Sequence, residues 1–402
     1  MRRLGEGWRL LQDRTWGLLP SPVRPLIWMA LALSVIVMPH FGEDTWLRMF
    51  FLVALYATLG MGLNVVVGMA GLLDLGFVAF FATGAYTVGI LGSPVSPHET
   101  TLNYWFLFPL ALGLGALFGL LLGLPVLPLR GDYLAIVTLG FGEIIRILVL
   151  NMSDQTRGSS GLFQIRKPDV PLPANLRDLL HLPVMIDDIR AFYVLALVAA
   201  LVVWFATSRL RDSRVGRAWE AIREDEDVAA GMGINTTRYK LMAFATGAAI
   251  GAVGGAIFAP YIDFVAPQSF SLQVSINVLA VVIIGGMGST TGVIAGSVIL
   301  IGVPELLQFQ ETADLLAKLA WLRDILNPLI HAFNTVTFLH VSDLPPANEW
   351  GDKLALYRFI VFGLLLVVVM VLRPMGIFPS RRRELEFENP PEAELATSEG
   401  VA

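Results

Sequence analysis

Apolar residues run in long, almost uninterrupted stretches along most of the chain, and shorter polar segments separate them. A helix that spans a membrane needs about 20 consecutive, mostly apolar residues. Stretches near this length lie at 25–40, 46–67, 72–92, 105–128, 133–152, 190–208, 241–262, 268–285, 290–309 and 355–372. The pattern therefore predicts an all-α, polytopic membrane protein.

The charges between these stretches orient them, because cytoplasmic loops carry an excess of lysine and arginine. Arginines concentrate in 1–24, in 209–240 and beyond the last stretch, whereas 304–354 is mainly acidic. The three basic segments are expected to be cytoplasmic, and 304–354 and 153–189 external. With both termini on one side the number of crossings is even. We therefore count 268–309 as two spans and expect about ten transmembrane helices.

The spans divide the chain into one membrane domain with polar segments attached. Residues 1–24 place tryptophans and leucines among arginines, which is typical of a helix in the membrane interface. The transmembrane domain covers 25–380 and includes a cytoplasmic loop, 209–240, and an external insertion, 310–354. The acidic segment 381–402 is expected to be a disordered cytoplasmic tail.

Composition supports the membrane assignment and excludes several other classes. Of the 402 residues, 55% are hydrophobic and 15% are charged, whereas a soluble domain has about 25% charged residues. An ordinary soluble enzyme and a disordered chain are therefore excluded. The net charge of −5 gives no reason to expect nucleic acid as a partner. The chain contains no cysteine, so disulfides and thiolate metal sites are excluded.

Two stretches resemble each other: LNVVVGMAGLLDLGFVAFFATGAYTVGIL from Leu63 and INVLAVVIIGGMGSTTGVIAGSVILIGV from Ile276. Each has an asparagine near its start, an apolar run, a glycine-rich break and a second run of small residues. Such paired breaks predict two related halves with glycine-broken segments, as in transporters built from repeats. A second interpretation, that glycine only permits close helix packing, stays open. The candidate translocation-pathway residues are Asn64, Gly68, Gly71, Asp74, Asn277, Gly285, Gly286 and Gly288.

Few charged residues fall inside the predicted spans. Glu143 and Arg146 are three positions apart, so they can pair on one helix face as a structural ion pair. Asp74 follows the first break and is expected to cap the next helix or orient the broken backbone, rather than contact substrate. Proton- and sodium-driven carriers usually hold more intramembrane carboxylates. An autonomous ion-coupled carrier is therefore disfavoured.

Catalytic motifs are absent from the sequence. The lysines are Lys167, Lys240, Lys318 and Lys353, and none follows a glycine, so the chain has no P-loop for ATP. Four of the five histidines lie outside the predicted spans, and the fifth, His40, is the last residue of the first span. We expect no catalytic residue, no metal site and no bound cofactor, and a membrane enzyme is disfavoured because no catalytic groups converge.

The basic loop contains one predicted amphipathic helix, SRVGRAWEAIREDEDVAAGMGINTTRYK from Ser213. Its apolar stripe consists of Val215, Ala218, Trp219, Ile222, Ala229 and Met232. Glu226 interrupts the stripe, and Gly231 and Gly233 are suited to the end of a helix. Such a helix lies on the membrane, connects two spans in solvent or docks into a groove on a partner. Because the chain has no P-loop for ATP, docking to a separate ATPase is the favoured alternative.

Several motifs, in order, resemble the permease subunits of branched-chain amino acid ABC importers. The first is GLNVVVGMAGLLDLGFVAFFATGAY, followed by RGDYLAIVTLGFGEIIRI and TRGSSGLFQI. Later come SRVGRAWEAIREDEDVAAGMGIN, INVLAVVIIGGMGSTTGVIAGSVILIGVPELLQ and YRFIVFGLLLVVVMVLRPMGIFP. The resemblance covers roughly 25–310 and 355–380, and it is to the M-type permease of this family.

The resemblance implies a half-pore with alternating access in the cell inner (plasma) membrane. Its implied partners are a homologous H-type permease, two cytoplasmic ABC ATPase subunits that use the ATP, a periplasmic or extracellular amino-acid-binding protein, and lipid. By position, 214–233 is the ATPase-docking segment. Its candidate coupling residues are Arg214, Arg217, Trp219, Ile222, Arg223, Glu224, Ala229 and Gly233.

Two departures from the family pattern stand out. Residues 308–354 occupy a place where the family has a short link, and this stretch has the composition of a surface insertion. The docking segment matches the E-A-A-x-x-x-G pattern of ABC permeases only loosely. The resemblance implies hydrophobic amino acids such as leucine, isoleucine and valine as substrates, and the sequence around AGLLDLG favours amino acids. A related permease for urea, amides or aromatic amino acids is the alternative.

Overall fold

A computed structural model describes residues 44–98, 101–129, 131–169 and 187–306, and isolated positions among 328, 362–364, 366–367, 371 and 376–377. The predicted segments 1–24, 25–40 and 381–402 lie outside these ranges, as does 310–354 apart from Pro328. The predicted span 355–372 is described only at isolated positions. The chain divides into two compact units, Met1–Leu47 and Arg48–Ala402. The contacts below are all within the second unit.

The first part of the described chain is a series of apolar helices. Helix α1 (Asp44–Leu63) continues directly into a π-helical turn, π1 (Asn64–Met69). After an irregular segment come α2 (Val78–Gly92), α3 (Tyr104–Val126) and α4 (Asp132–Asn151). A short helix, α5 (Ser153–Thr156), a 3-10 turn (Gly158–Ser160) and a two-residue strand, β1 (Leu162–Phe163), follow α4.

The second part begins with a long helix and a surface segment. Its elements are α6 (Ile189–Arg211), α7 (Arg214–Glu224), α8 (Glu226–Gly231), α9 (Thr236–Ile262) and β2 (Phe264–Val265). A 3-10 turn (Pro267–Ser269), α10 (Leu272–Gly285), α11 (Thr290–Ser297), a second π turn, π2 (Val298–Gly302), and α12 (Val303–Leu306) complete it. Strands β1 and β2 pair antiparallel, with Leu162 opposite Val265. The described chain is therefore mostly helical, with this one small exception to an all-α fold.

Six described helical stretches are long and apolar enough to cross a membrane. They are Asp44–Met69, Tyr104–Val126, Asp132–Asn151, Ile189–Arg211, Thr236–Ile262 and Pro267–Gly285. The predicted helix over 72–92 is wrong in extent, because α2 begins only at Val78. Its 15 residues make about 22 Å of helix, less than the roughly 30 Å of a bilayer core. The stretch 268–309 is divided, since α10 ends at Gly285 and α11 begins at Thr290. Only its first part, Pro267–Gly285, is among the six, because the apolar helix Thr290–Glu305 is shorter, so the count of two spans here stays a prediction.

Helix α9 forms the centre of the described bundle, and small residues let its neighbours approach closely. On α3, Gly115, Gly119 and Gly123 recur every fourth residue and face α9. A Cβ atom at Gly119 would lie 2.6 Å from both Phe244 O and the Cβ of Ala248. On α2, a Cβ at Gly84 would overlap the carbonyl of Ala252. Close approach at small residues is typical of membrane helix packing, where no hydrophobic effect drives helices together.

The contacts along α9 also fix the directions of its neighbours. The hydroxyl of Tyr104, at the start of α3, donates to Ala256 O over 3.2 Å, whereas Gly123, near the end of α3, faces Leu241. Helix α3 therefore runs antiparallel to α9. The end of α1 meets α9 at Gly62, where a Cβ would lie 3.0 Å from Gly247 O. The ends of α1 and α3 thus lie near the first half of α9.

The outer faces of α3, α4 and α6 expose large apolar side chains. They include Phe106, Leu117, Leu121, Leu124, Ile136, Ile144, Val198 and Val202. Soluble proteins rarely expose apolar surface on this scale. Faces of this kind are suited to contact lipid or a second membrane subunit.

We predict that Gly119→Val destabilises the chain, whereas Gly113→Val on the same helix does not. A Cβ at Gly119 would collide with Phe244 and Ala248, but one at Gly113 would have no atom within 4 Å. Overpacking costs about 1–3 kcal/mol, which in a chain of 402 residues corresponds to a fall in melting midpoint of a few degrees. Thermal unfolding in detergent, followed by tryptophan fluorescence, measures the difference. Equal midpoints for the two variants would contradict this packing.

Candidate functional site

The backbone between π1 and α2 is irregular. Several of its N–H groups donate hydrogen bonds to acceptors elsewhere in the protein or in π1. At its start, Ala70 N–H donates to Val65 O over 3.2 Å and Leu72 N–H to Val66 O over 3.0 Å. These two hydrogen bonds connect the residues that follow π1 to carbonyl groups within π1. Unpaired backbone groups in an apolar environment each cost several kcal/mol. An interruption here is therefore stable only because such acceptors exist.

Side chains from two other helices supply the next acceptors. Leu75 N–H donates to the hydroxyl of Thr138 on α4 over 3.0 Å. Val78 N–H, in the first turn of α2, donates to the hydroxyl of Ser275 on α10, also over 3.0 Å. Both hydroxyl-bearing residues are buried. The first break is therefore held in place by helices from both halves of the chain.

Asp74 lies inside this break and is completely buried. Its Oδ1 accepts a hydrogen bond of 2.9 Å from Gly76 N–H, two residues further along, as aspartate side chains do in turns. Oδ2 has no hydrogen-bond partner among the described residues. The carboxylate therefore orients the broken backbone, which is one of the two roles that the sequence analysis favoured.

The second break is the short turn between α10 and α11. These helices form an antiparallel hairpin in which Gly285 packs against Gly292 and Gly296 against Val281. Gly286 and Gly288 have φ angles of 108° and 83°, in the region that favours glycine. The Ser289 hydroxyl then accepts from Gly292 N–H over 3.1 Å and caps α11.

The two breaks meet at one buried contact. Asn64, the first residue of π1, accepts a hydrogen bond of 2.8 Å from Gly288 N–H through its Oδ1. Gly68 lies beside both groups, since a Cβ there would overlap Asn64 Oδ1 and lie 2.5 Å from Gly288 N. The structure thus brings together Asn64, Gly68 and Gly288.

The other pathway candidates occupy separate places. Asn277 is half-buried, and its Oδ1 accepts from Gln273 Nε2 one turn earlier on α10. Its contacts do not repeat those of Asn64, although the two sequences look alike. Gly285 belongs to the α10–α11 hairpin, and Gly286 packs against Gly376. Gly71 follows π1 in the chain, is exposed and lies beside Arg223.

The predicted amphipathic helix is two helices, α7 and α8, so the prediction of one continuous helix is wrong. The interruption falls at Asp225, whose Oδ1 accepts from the N–H groups of Asp227 and Val228 over 2.9 Å. Aspartate is a favoured N-cap because it pairs with such free N–H groups. We call residues 213–233, which comprise both helices and their caps, the amphipathic segment.

The apolar side of the amphipathic segment packs against the chain itself. Ala218, Trp219, Ile222 and Ala229 are all buried. The indole Nε1 of Trp219 donates to Tyr239 O over 2.7 Å. Lys240, which is only 4% exposed, forms an ion pair of 2.5 Å with Glu226. These contacts fix the segment to the first turns of α9.

The opposite side of the amphipathic segment is open. Val228 is 58% exposed and Met232 is 77% exposed, so the apolar surface that remains is at the end of α8. Among the coupling candidates, Arg214, Arg217, Glu224 and Gly233 are exposed. Arg223 is half-buried and turns toward π1, where its Nη1 donates to Gly68 O over 2.5 Å.

Glu143 and Arg146 form an ion pair on α4. The Nε of Arg146 lies 3.0 Å from each carboxylate oxygen, and both side chains are partly exposed. The pair is neutral overall, which lowers the cost of two charges on an apolar helix. Within the residues that the structure describes, no group of three or more acidic or histidine side chains is arranged to hold a metal ion.

Sequence reasoning missed Thr138 and Ser275, the two hydroxyls that support the first break, and the buried Lys240–Glu226 pair. Thr138 had a detectable signal, since it is an isolated polar residue within an apolar run, whereas Ser275 lies among the other polar residues Gln273 and Asn277. Polar residues inside such runs usually find a partner in the protein. The sequence did not show which backbone group each one binds.

The six described helical stretches, long and apolar enough to cross a membrane, indicate a multi-pass membrane protein, and two broken elements in it are in buried contact. Comparison with known proteins is more specific. Residues 45–370 match the family model described as "Branched-chain amino acid transport system / permease component". The chain therefore belongs to the branched-chain amino acid transport permease family.

Individual relatives agree with the family match. The chain is 36% identical to the high-affinity branched-chain amino acid transport system permease protein LivM of Salmonella typhimurium and of Escherichia coli, over 90% of the chain and 77% of each relative. It is 34% identical to the LivH permease of Salmonella typhimurium over 114 residues, or 28% of the chain and 36% of that relative. No solved structure matches the chain significantly.

We predict that Thr138→Val loosens the first break and that Thr138→Ser does not. Valine keeps the shape but removes the acceptor of Leu75 N–H, and leaving a buried donor unpaired costs about 1–3 kcal/mol. Hydrogen–deuterium exchange of the peptide that contains Leu75 is expected to rise in the valine variant only. Unchanged exchange in Thr138→Val would show that the hydroxyl does not hold this backbone.

Proposed function

We propose that this chain is the M-type permease subunit of an ABC importer and forms half of a translocation pathway for branched-chain amino acids. The family match and the names of the LivM relatives support this substrate class. Similarity to the LivH permease supports a homologous H-type permease as the second half of the pathway. No observation favours urea, amides or aromatic amino acids, so we propose no second function.

One structural observation carries the mechanistic part of the proposal. The amphipathic segment is fixed to α9 on one side, contacts π1 through Arg223, and is open on the other side. A segment with these three properties is suited to receive a partner and pass its movement to a broken helix. We propose that two separate ATPase subunits bind there and use ATP to drive alternating access.

We also propose a membrane location and a topology for the chain. The chain would lie in the cell inner (plasma) membrane with about ten crossings and with both termini in the cytoplasm. A periplasmic or extracellular binding protein would select the amino acid and deliver it to the external face. Asn64, Asp74 and the glycines of the two breaks would lie along or beside the pathway, and Glu143–Arg146 would be a structural pair.

The burial pattern changes which residues of the amphipathic segment should contact an ATPase. Trp219, Ile222 and Ala229 are buried against the chain, so we propose that they hold the segment in place. Val228, Met232 and the exposed arginines would form the docking surface. Exposed apolar side chains on a polar segment are suited to the centre of an interface.

We predict that Met232→Asp weakens ATPase binding, whereas Thr237→Asp does not. Both positions are exposed and each variant adds one negative charge, but Thr237 lies in the first turn of α9, where an acid is favourable. A minority of interface residues, clustered near the centre, cost more than about 1 kcal/mol when truncated, and we place Met232 among them. We therefore expect at least about fivefold less ATPase in co-purification with Met232→Asp. Equal co-purification of the two variants would place the docking surface elsewhere.

A third substitution separates docking from folding. Ile222 is 5% exposed, so Ile222→Asp would bury a charge and is expected to lower the melting midpoint of the chain itself. Met232→Asp should leave that midpoint unchanged. A normal midpoint for Ile222→Asp would contradict the observed packing of α7.

We predict ATP-dependent uptake of labelled leucine into proteoliposomes that contain this chain, an H-type permease, both ATPases and a binding protein. The chain alone should give no uptake, with or without a proton or sodium gradient. Gradient-driven uptake by the chain alone would refute the ABC proposal. ATPase stimulation by a binding protein loaded with another ligand, without leucine uptake, would change the substrate and keep the architecture.

A further inference from the structure

Arg223 joins the amphipathic segment to the end of the first broken helix. Its Nη1 donates to the carbonyl of Gly68 over 2.5 Å. The last carbonyls of a helix lack intrahelical partners, and the partial negative charge there attracts cations. The arginine thus contacts π1 at the point where the helix ends and the irregular backbone begins.

The backbone around π1 is shaped to admit this side chain. Gly71 has a φ angle of +73°, which favours glycine, and a Cβ there would lie 2.7 Å from Cγ of Arg223. Both its conformation and its close approach to Arg223 therefore require glycine. The contact between Arg223 and π1 therefore depends on the backbone conformation at Gly71 as well as on the charge of the arginine.

A second hydrogen bond continues from π1 to the other break. Gly68 is one turn after Asn64, whose Oδ1 accepts from Gly288 N–H over 2.8 Å. Asn64 and Gly288 are both buried and are 224 positions apart in the chain. The path from Arg223 to Gly288 therefore uses two side-chain hydrogen bonds and one turn of π helix.

The amphipathic segment is attached to α9 by two contacts, through which its movement can also reach this path of hydrogen bonds. Trp219 and Glu226 fix it to Tyr239 and Lys240 at the start of α9. A displacement of the segment therefore reaches Arg223 and the base of α9 together. Through the hydrogen bonds of Arg223 and Asn64, the segment, π1 and the hairpin turn form one contiguous unit.

We propose that Arg223 and Asn64 are positioning residues that transmit movement of the amphipathic segment to both broken elements. Arg223 couples the segment to π1, and Asn64 couples π1 to the turn between α10 and α11. Neither residue needs to contact the transported molecule for this role. The inference rests on the proposed function, in which ATPase subunits bind the segment.

A purely structural role makes a different prediction. If Arg223 only caps the end of a helix, its loss lowers the stability of the chain and reduces uptake and ATP hydrolysis together. If Arg223 transmits movement, its loss separates the two activities. The ratio of leucine taken up to ATP hydrolysed distinguishes the alternatives.

The first experiment measures that ratio in the complete reconstituted complex. We compare Arg223→Ala, Arg223→Lys and Asn64→Leu, with Arg238→Ala as a control that removes a charge from an exposed arginine nearby. For both Arg223→Ala and Asn64→Leu we expect normal assembly and a fall in leucine per ATP. The fall is about tenfold for Arg223→Ala, which removes a charge-assisted hydrogen bond, and about threefold for Asn64→Leu, which removes a bond between neutral groups. Arg223→Lys should recover part of the ratio, because lysine still donates one hydrogen bond. A ratio unchanged from wild type in Arg223→Ala would overturn the inference.

The second experiment needs no substrate and uses the full chain alone. Hydrogen–deuterium exchange is followed in the peptide that contains Gly288. If the link exists, Arg223→Ala raises exchange there although the hydrogen bond that it removes is to Gly68, and Asn64→Leu raises it further. Arg238→Ala should have no effect. Normal exchange in Arg223→Ala would overturn the link even if the wild-type complex transports leucine.

The two experiments separate the inference from the proposed function. If the wild-type complex takes up no leucine but Arg223→Ala raises exchange at Gly288, the link stands and the transport assignment fails. If uptake is normal in wild type and neither the ratio nor the exchange changes in the variants, transport stands and the link fails.

Discussion

A break in an apolar helix leaves backbone N–H and C=O groups that must find partners inside the protein. In this chain the partners come from distant elements: Thr138 on α4, Ser275 on α10 and Asn64 on π1. Each of these three hydrogen bonds also joins a break to another element of the chain. The breaks are therefore compatible with a stable fold and are mechanically connected to other helices. The rest of the architecture depends on the requirement that the polar groups of the broken backbone find partners.

Close packing around α9 supplies the frame for these hydrogen bonds. Glycines on α2 and α3 bring their helices near enough to α9 for backbone contact. The amphipathic segment is fixed to the same helix by Trp219 and Lys240. A permease of the proposed kind needs a surface that binds an ATPase subunit, and rigid contacts that connect this surface to the translocation pathway. The amphipathic segment and its contacts with α9 and π1 provide both.

The sequence predicted the helices better than their interruptions. Long apolar runs placed α3, α4 and α6 within a few residues, because length and apolarity alone decide a spanning helix. The same rule extended a helix over 72–77, where Asp74, Thr138 and Ser275 instead hold an irregular backbone. The apolar stripe of the amphipathic segment was recognised, but periodicity cannot say whether it faces a partner or the chain itself. That choice depends on tertiary contacts such as Trp219 with Tyr239.

The central claim is that the amphipathic segment and the second break move as one unit. Since the chain has no cysteine, spin labels can be placed at the exposed positions Ala230→Cys, Thr291→Cys and Leu102→Cys without background labelling. Distances are measured by double electron–electron resonance in the reconstituted complex, without nucleotide and with ATP trapped. The account predicts an unchanged distance between positions 230 and 291, while the distance between 291 and 102 shifts. A shift between 230 and 291 on trapping ATP would contradict it.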